Sequence, residues 1–276
     1  MNAGDRVQVV YGTNTGKTGQ VWFVRHDGRL LVSIDGISTS DGLRSYSPTQ
    51  VKALAAPTPT PPPPTGTIVE SKTFGTLVPT NNTTYRNCSI GWINPPATAQ
   101  NIRIEGGKVG GFDLCGTNLV FKNVEIGNLT DVHPAIAGPG ITRNLLIEDC
   151  VIHDVRRTNS DEHTEGLQFG ACDGATIRRT RFYNNAVFNT FLRCWDNRGI
   201  QNITFEDCDF GPTHDVTPTS RGVYAARVAG DDEANTGGKI PTNVIFLRCK
   251  RPRDQGISID QAAKNRGCKD IDPIVV

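Results

Sequence analysis

The stretch densest in reactive groups is His153-Asp154-Val155-Arg156-Arg157-Thr158-Asn159-Ser160-Asp161-Glu162-His163-Thr164-Glu165. Asp161, Glu162 and Glu165 place three carboxyls close together, and His163 adds a group that titrates near neutrality. Glycoside hydrolysis needs two carboxyls about 5–10 Å apart, one with a raised pKa, and a neighbouring histidine can move a proton. Polysaccharide β-elimination would instead want a base such as Arg193, a lysine or a histidine beside a cation or carboxylate clamp. Charged loop tips are also ordinary solvated surface, so catalysis and plain solvation both stay open. His214-Asp215 and Asp231-Asp232-Glu233 are further clusters. The second lacks the spaced ligand series of a calcium loop and reads as a solvated turn. No metal and no cofactor is expected.

A second set of residues could bind rather than react. Short triplets read as inward-outward-inward strands: Phe112-Asp113-Leu114, Leu167-Gln168-Phe169, Leu192-Arg193-Cys194, Val223-Tyr224-Ala225 and Ile257-Ser258-Ile259. Their outward row is Asp113, Gln168, Arg193, Tyr224 and Ser258, with Trp195 and Asp260 continuing the alternation. Trp195 and Tyr224 offer apolar area to a sugar face, while Asp113, Gln168 and Arg193 fix orientation by hydrogen bonds. An extended glycan fits such a row. A solvated sheet face with chance aromatics is the alternative.

A repeat must position these residues. Nine-residue segments align from Asn82, Asn101, Asn118, Asn144, Gly174, Asn202 and Asn243. Position one is Asn in six of the seven, which marks it as a corner, because asparagine tolerates left-handed backbone. Position four is always large and apolar: Tyr85, Ile104, Phe121, Ile147, Ile177, Phe205 and Phe246. Position seven is Cys at 88, 150, 208 and 249, and position nine is apolar until Arg251. Apolar residues at two, four, seven and nine, with a polar break at five and six, describe two short strands around a corner. Stacked coil on coil they give a parallel β-helix of about seven turns. The cysteines then form a column of small buried side chains, with disulfides between coils possible but not required. A linear column does not offer the tetrahedral convergence of a zinc site. Successive starts lie 19, 17, 26, 30, 28 and 41 residues apart, so the later coils carry inserted loops that should wall the outward row.

Composition agrees with an all-β chain. The 276 residues include 29 glycines and 17 prolines but one methionine. Charge is balanced, 29 Lys+Arg against 28 Asp+Glu, which argues against broad binding to nucleic acid or anionic membrane. No stretch could span a bilayer, and the N-terminus lacks the apolar core of a signal peptide. Six of the 17 prolines fall between Pro57 and Pro64, so residues 56–66 read as a stiff polyproline II linker. A proline-rich recognition ligand is the alternative. Residues 1–55 alternate as a small β-barrel does, and 67–276 hold the β-helix. Gly12-Thr13-Asn14-Thr15-Gly16-Lys17-Thr18 is not a phosphate-binding loop, because only three residues separate its glycines where four are needed.

Two resemblances follow from these residues. Gly4-Asp5-Arg6-Val7-Gln8-Val9, Gly12 and Gly16-Lys17-Thr18-Gly19-Gln20-Val21 resemble the KOW motif, which implies an SH3-like barrel. Six Lys/Arg against four Asp/Glu make it a weak RNA binder, so docking to protein is the expected role. The Asn and Cys repeat resembles the right-handed, pectate-lyase-like β-helix of polysaccharide lyases, glycosidases and bacteriophage tailspikes. Together the parts resemble a virion protein: a tailspike, minor tail or capsid decoration protein. That resemblance implies docking to other virion proteins through residues 1–55, a homo-oligomer with a trimer favoured, and host-surface polysaccharide as ligand. It also implies location in the virion, made in the host cytoplasm. A lyase or glycosidase on the same scaffold is the alternative, and an RNA-associated KOW protein a third reading.

Overall fold

The computed structural model describes residues 66–158, 164–194, 197–213, 224–230 and 239–276, together with the backbone of five strands nearer the N-terminus. The chain divides into two compact units, Met1–Pro63 and Pro64–Val276. In the first, strands Arg6–Val9, Thr18–Val24, Leu30–Ile34, Leu43–Tyr46 and Val51–Ala53 form one antiparallel sheet. The last strand pairs beside the first, Val7 facing Ala53 on one side and Gly19 on the other. The glycine-rich stretch from Gly12 to Lys17 and the prolines from Pro57 to Pro64 lie outside the described residues.

The second unit is a parallel β-helix with almost no α-helix, consistent with the right-handed form. Its strands lie in three parallel sheets of nine, nine and five strands, called I, II and III below. The repeat register is the one the segments define. On sheet I, Ile104 pairs with Tyr85 and Phe121, Ile147 with Phe121 and Ile177, and Phe205 with Ile177 and Phe246. All seven position-four side chains are buried in one core. Phe205 and Phe246 stack with ring centroids 4.7 Å apart, and Phe182 and Phe210 stack at 4.9 Å. Sheets I and II each run to nine rungs, two more than the aligned segments. The added rungs, beginning near Gly66 and Gly267, open on glycine and so lack the asparagine signature. Registers Thr67 to Thr83 and Ile245 to Lys269 place them.

The corner residues work as expected. Asn82, Asn101, Asn118, Asn144, Asn202 and Asn243 all have φ between 52° and 58°. Each of Asn101, Asn118 and Asn144 donates its amide to the oxygen of the asparagine one rung before, at 2.8, 2.9 and 3.1 Å. Gly174 interrupts this line. Asp173 takes over as acceptor for Asn202 at 3.0 Å, and Asn243 then donates to Asn202 at 3.0 Å. The sixth position is a second left-handed column, including Asn87, Asn123, Asp149, Arg179, Asp207 and Arg248.

Between these corners stands a row of charges at the fifth position. Glu70, Arg86, Glu105, Lys122, Glu148, Arg178 and Glu206 are register neighbours on sheet I, strictly alternating in charge. Opposite charges side by side stabilise a sheet and like charges destabilise it. Glu148 is paired with Lys122 at 3.0 Å and with Arg178 and Arg179 at 2.5 Å each. Its burial alone would raise the carboxyl's pKa, but hydrogen bonds from Lys122, Arg179 and Arg178 overcome that and bring it down to about 2.

All eight cysteines are buried free thiols. The four at position seven donate to backbone carbonyls, for example Cys150 to Glu148 at 3.3 Å and Cys249 to Phe205 at 3.5 Å. Burial pushes the Cys150 thiol up to about 11, so it stays protonated and inert at neutral pH.

The asparagine line is testable at Asn118, which both donates and accepts in it. Asn118→Ala forces an alanine into left-handed backbone and removes both bonds, for a loss of roughly 1–3 kcal/mol. Asn118→Gly keeps the conformation and should lose less. Urea unfolding of the three proteins measures this, and equal stability of the alanine variant and wild type would contradict it.

Candidate functional site

Sheet III is built from Ala135–Ile136, Leu167–Phe169, Thr190–Leu192, Ala226–Val228 and Ile257–Ile259. Leu167, Phe169, Leu192 and Val228 are fully buried and join the main core. The residues between them point to the other face. The pairings Asp113 to Ala135, Ala135 to Gln168, Gln168 to Phe191, Phe191 to Arg227 and Arg227 to Ser258 define that outer column.

This corrects the row read from sequence. Asp113, Gln168 and Ser258 are in it; Arg193 and Tyr224 are not, and Phe191 and Arg227 stand in those rungs. The paired strands lie two residues earlier and three residues later than the triplets around Arg193 and Tyr224. Thr190 pairs with Leu167 and is fully buried, because its hydroxyl donates to the Leu167 carbonyl at 3.1 Å. The buried Leu192 and Cys194 flank Arg193 as an inward pair would, but the strand that pairs with Leu167–Phe169 is Thr190–Leu192, so Phe191 takes the rung. Arg193 instead follows the strand, its backbone N–H donating to Phe169. Tyr224 precedes its strand and packs on Phe188, ring centroids 6.5 Å apart. Phe188 also meets Phe191 at 5.5 Å, so the three form a small aromatic cluster apart from the main core.

Of the charged stretch, Asp161, Glu162 and His163 lie outside the described residues, as does Trp195. His214, Asp215 and residues 231–233 do too. Its two ends are placed. His153 and Asp154 belong to the sheet II strand Val151–Arg156 and not to a loop wall. There the His153 Nδ1 meets Asp154 at 2.7 Å, Nε2 lies 3.5 Å from Glu125, and the ring stacks on Tyr183 at 5.0 Å. Glu165 is fully buried, with His133 Nδ1 at 3.8 Å.

A buried amide network positions the entry to sheet III, and nothing in the repeat announced it. Asn185 accepts from Val155 N–H at 3.3 Å and donates to Ile152 O at 3.2 Å and to Asn189 at 3.0 Å. Asn189 donates to Gly211 O at 2.7 Å, and Gln255 accepts from Thr213 N–H at 3.1 Å. Gly166 passes so close to Asn185 and Asn189 that a Cβ there would lie 2.6 Å from both. At the other end, Asp260 accepts from Gly230 N–H at 3.0 Å and pairs with Arg227 at 3.4 Å.

The column's chemistry concentrates between Asp113 and Gln168. They lie two rungs apart, roughly 10 Å at the usual strand spacing, and only the small Ala135 stands between them. Gln168 is 3% exposed, and its Oε1 has no hydrogen-bond partner among the described residues. Neither has the hydroxyl of Thr164, 1% exposed. Burial raises the Asp113 pKa above the ordinary aspartate value, and the Arg198 charge only partly offsets this. Arg198 is held by the carbonyls of Gly138 and Gly140, the latter at 3.0 Å. The column therefore carries a carboxyl and a buried amide oxygen on either side of a small alanine. Among the described residues no cluster of His, Cys, Asp and Glu could hold a metal, and no helix is long and apolar enough to cross a membrane.

No protein-family model matches the chain, and no curated protein matches it. Among solved structures, the A-module of the mannuronan C-5 epimerase AlgE4 of Azotobacter vinelandii is similar at 10% identity. The match covers 76% of this chain and 78% of that one, with a TM-score of 0.39. A likeness of that grade carries no argument about activity or substrate.

Asp113 holds its proton more tightly folded than unfolded. Its burial therefore costs no stability below the unfolded aspartate range, and the cost grows as pH rises through the folded-state value. Asp113→Asn should raise the thermal midpoint at pH 7 and leave it unchanged near pH 3. Calorimetry at the two pH values decides this, and a lower midpoint at pH 7 would refute the burial argument.

Proposed function

We propose that the chain is a polysaccharide-recognition β-helix carried on a bacteriophage particle, with its ligand site on the outer face of sheet III. The observation that carries the recognition reading is the carbonyl oxygen of Gln168, buried and without a hydrogen-bond partner among the described residues, next to Ala135 and two rungs from Asp113. A buried acceptor left unmade costs about 1–3 kcal/mol, a cost that is explained when a ligand hydroxyl supplies the donor. Saccharides carry such hydroxyls at close spacing.

The same face supports a second reading, a glycosidase or lyase. Asp113, with its raised pKa, has the property of a general acid, and Glu165 with His133 supplies a second carboxyl. Recognition is preferred because it uses Gln168, which acid–base chemistry leaves without a role. Gln168→Leu removes the orphan acceptor at nearly constant volume. We expect the variant to be more stable than wild type by about 1 kcal/mol and to bind polysaccharide at least about tenfold more weakly. Thermal melts and affinity electrophoresis read the two effects, and unchanged binding would sink the site. Release of reducing or unsaturated ends from the bound polymer would move the assignment to the enzymatic reading.

The order of parts supports placement on a particle: a five-stranded antiparallel unit, a proline-rich stretch, then a β-helix. In this reading residues 1–55 are an SH3-like docking barrel for other virion proteins, and the β-helix, as a trimer, meets the host surface. Mass spectrometry of density-purified particles should find the chain. Its presence in the lysate but absence from the particles would remove the virion reading and leave recognition standing.

A further inference from the structure

The four cysteines at position seven are not equivalent, because their neighbours along the column differ. Backbone bonds from Ser89 and Lys108 set Cys88 between Lys72 and Gly107, and those from Val151 and Arg181 set Cys150 between Val124 and Thr180. Of the four, only Cys208 and Cys249 occupy consecutive rungs. The Lys250 N–H donates to the Cys208 carbonyl at 2.8 Å, and Asp209 pairs with Lys250. We infer that Cys208 and Cys249 are a redox modification site, closing to a disulfide that staples the last coils when the protein meets a small-molecule disulfide such as glutathione disulfide.

The geometry suits the bond. Adjacent rungs of a parallel sheet lie about 4.8 Å apart, within the roughly 4.4–6.8 Å that separates Cα atoms in disulfides. Both side chains point into the core, 1% and 0% exposed, and the two thiols interact with each other directly. Each donates to a carbonyl of the rung before, Cys208 to Ile177 at 3.4 Å and Cys249 to Phe205 at 3.5 Å, so they share one orientation. Closing the disulfide gives up these two weak hydrogen bonds and needs no change of register.

A buried thiol is slow to react, and burial together with the neighbouring Cys249 pushes the Cys208 thiol well above its ordinary value. Reaction therefore waits on opening at this end of the β-helix. The sheet II strands Ser89–Ile93, Lys108–Phe112, Glu125–Thr130 and Val151–Arg156 have five or six residues. Asp209–Phe210, Lys250–Arg251 and Ile274–Val275 have two each. Beside them Arg251 and Asp270 place an ion pair, 3.5 Å apart, at positions that are apolar in the aligned coils before. Segments with few apolar contacts open first. On opening, the Cys249 thiolate attacks one sulfur of glutathione disulfide and expels a glutathione thiolate. The Cys208 thiolate then attacks the Cys249 sulfur and expels the second glutathione. Two cysteine thiols are oxidised, one glutathione disulfide is reduced, and the two cysteine protons end on the two glutathiones. The bond joins residues 41 apart in sequence, which removes freedom from the unfolded chain.

The test equilibrates the folded, full-length chain in glutathione buffers of rising disulfide fraction. Free thiols are then blocked with iodoacetamide in urea, and peptides are mapped by mass spectrometry. A second sample is refolded from urea in the same buffers, which removes any barrier to access. We expect one disulfide, Cys208 to Cys249, and a thermal midpoint higher by about 5 °C or more, lost again on adding dithiothreitol. Cys150→Ala, which changes a column cysteine without a cysteine neighbour, should keep both effects. Cys208→Ala, checked as folded by its melting transition, should show neither. Absence of the Cys208–Cys249 bond from both samples overturns the inference. So does a disulfide between any other pair in its place, or an oxidised protein that melts no higher than the reduced one.

Discussion

A left-handed corner residue is the constraint on which this β-helix depends. Each coil bends near the start of its sheet I strand and again between sheets I and II, so two backbone positions per coil enter a conformation that costs most L-residues about 1–2 kcal/mol. Asparagine lowers that cost by hydrogen bonding locally, and stacking lets one amide serve the rung above and the rung below. The ladder therefore fixes register and conformation together. Where Gly174 removes the side chain, Asp173 restores the bond from the adjacent position. The corner can tolerate a missing asparagine, but the line of hydrogen bonds then needs a new acceptor.

Because the corners repeat at fixed offsets, the fold was legible from Asn82 to Asn243. Large residues at position four have one place to go, and the structure stacks all seven in the core. The terminal rungs were illegible for a physical reason. Gly66 and Gly267 replace asparagine at position one, and Asp270 stands where every other coil is apolar, paired with Arg251. The alternating charges were present in the sequence at position five, but their meaning appears only when rungs are laid side by side.

The outer face of sheet III was harder, because alternation over a three-residue strand does not say which residue faces the neighbouring rung. Short apolar flanks recur on either side of the true strands, and the row slipped by two residues at Arg193 and by three at Tyr224. Asp113 and Gln168 were placed correctly because their flanks, Phe112 and Leu114, Leu167 and Phe169, are unambiguously interior. The contrast within this unit is then between satisfied and unsatisfied amides. Asn185, Asn189 and Gln255 spend their hydrogen bonds on the scaffold, while the Gln168 oxygen has no partner among the described residues.

The alternating ladder through Glu148 also bears on how such a chain can change length. Removing one rung between Arg86 and Glu206 would bring two like charges into register, whereas removing two adjacent rungs restores a plus beside a minus. Growth and shrinkage by paired coils conserve the sign pattern, and growth by single coils requires a compensating charge change elsewhere. The sheet thus carries a parity, and a chain descended from this one by duplication would be expected to keep it.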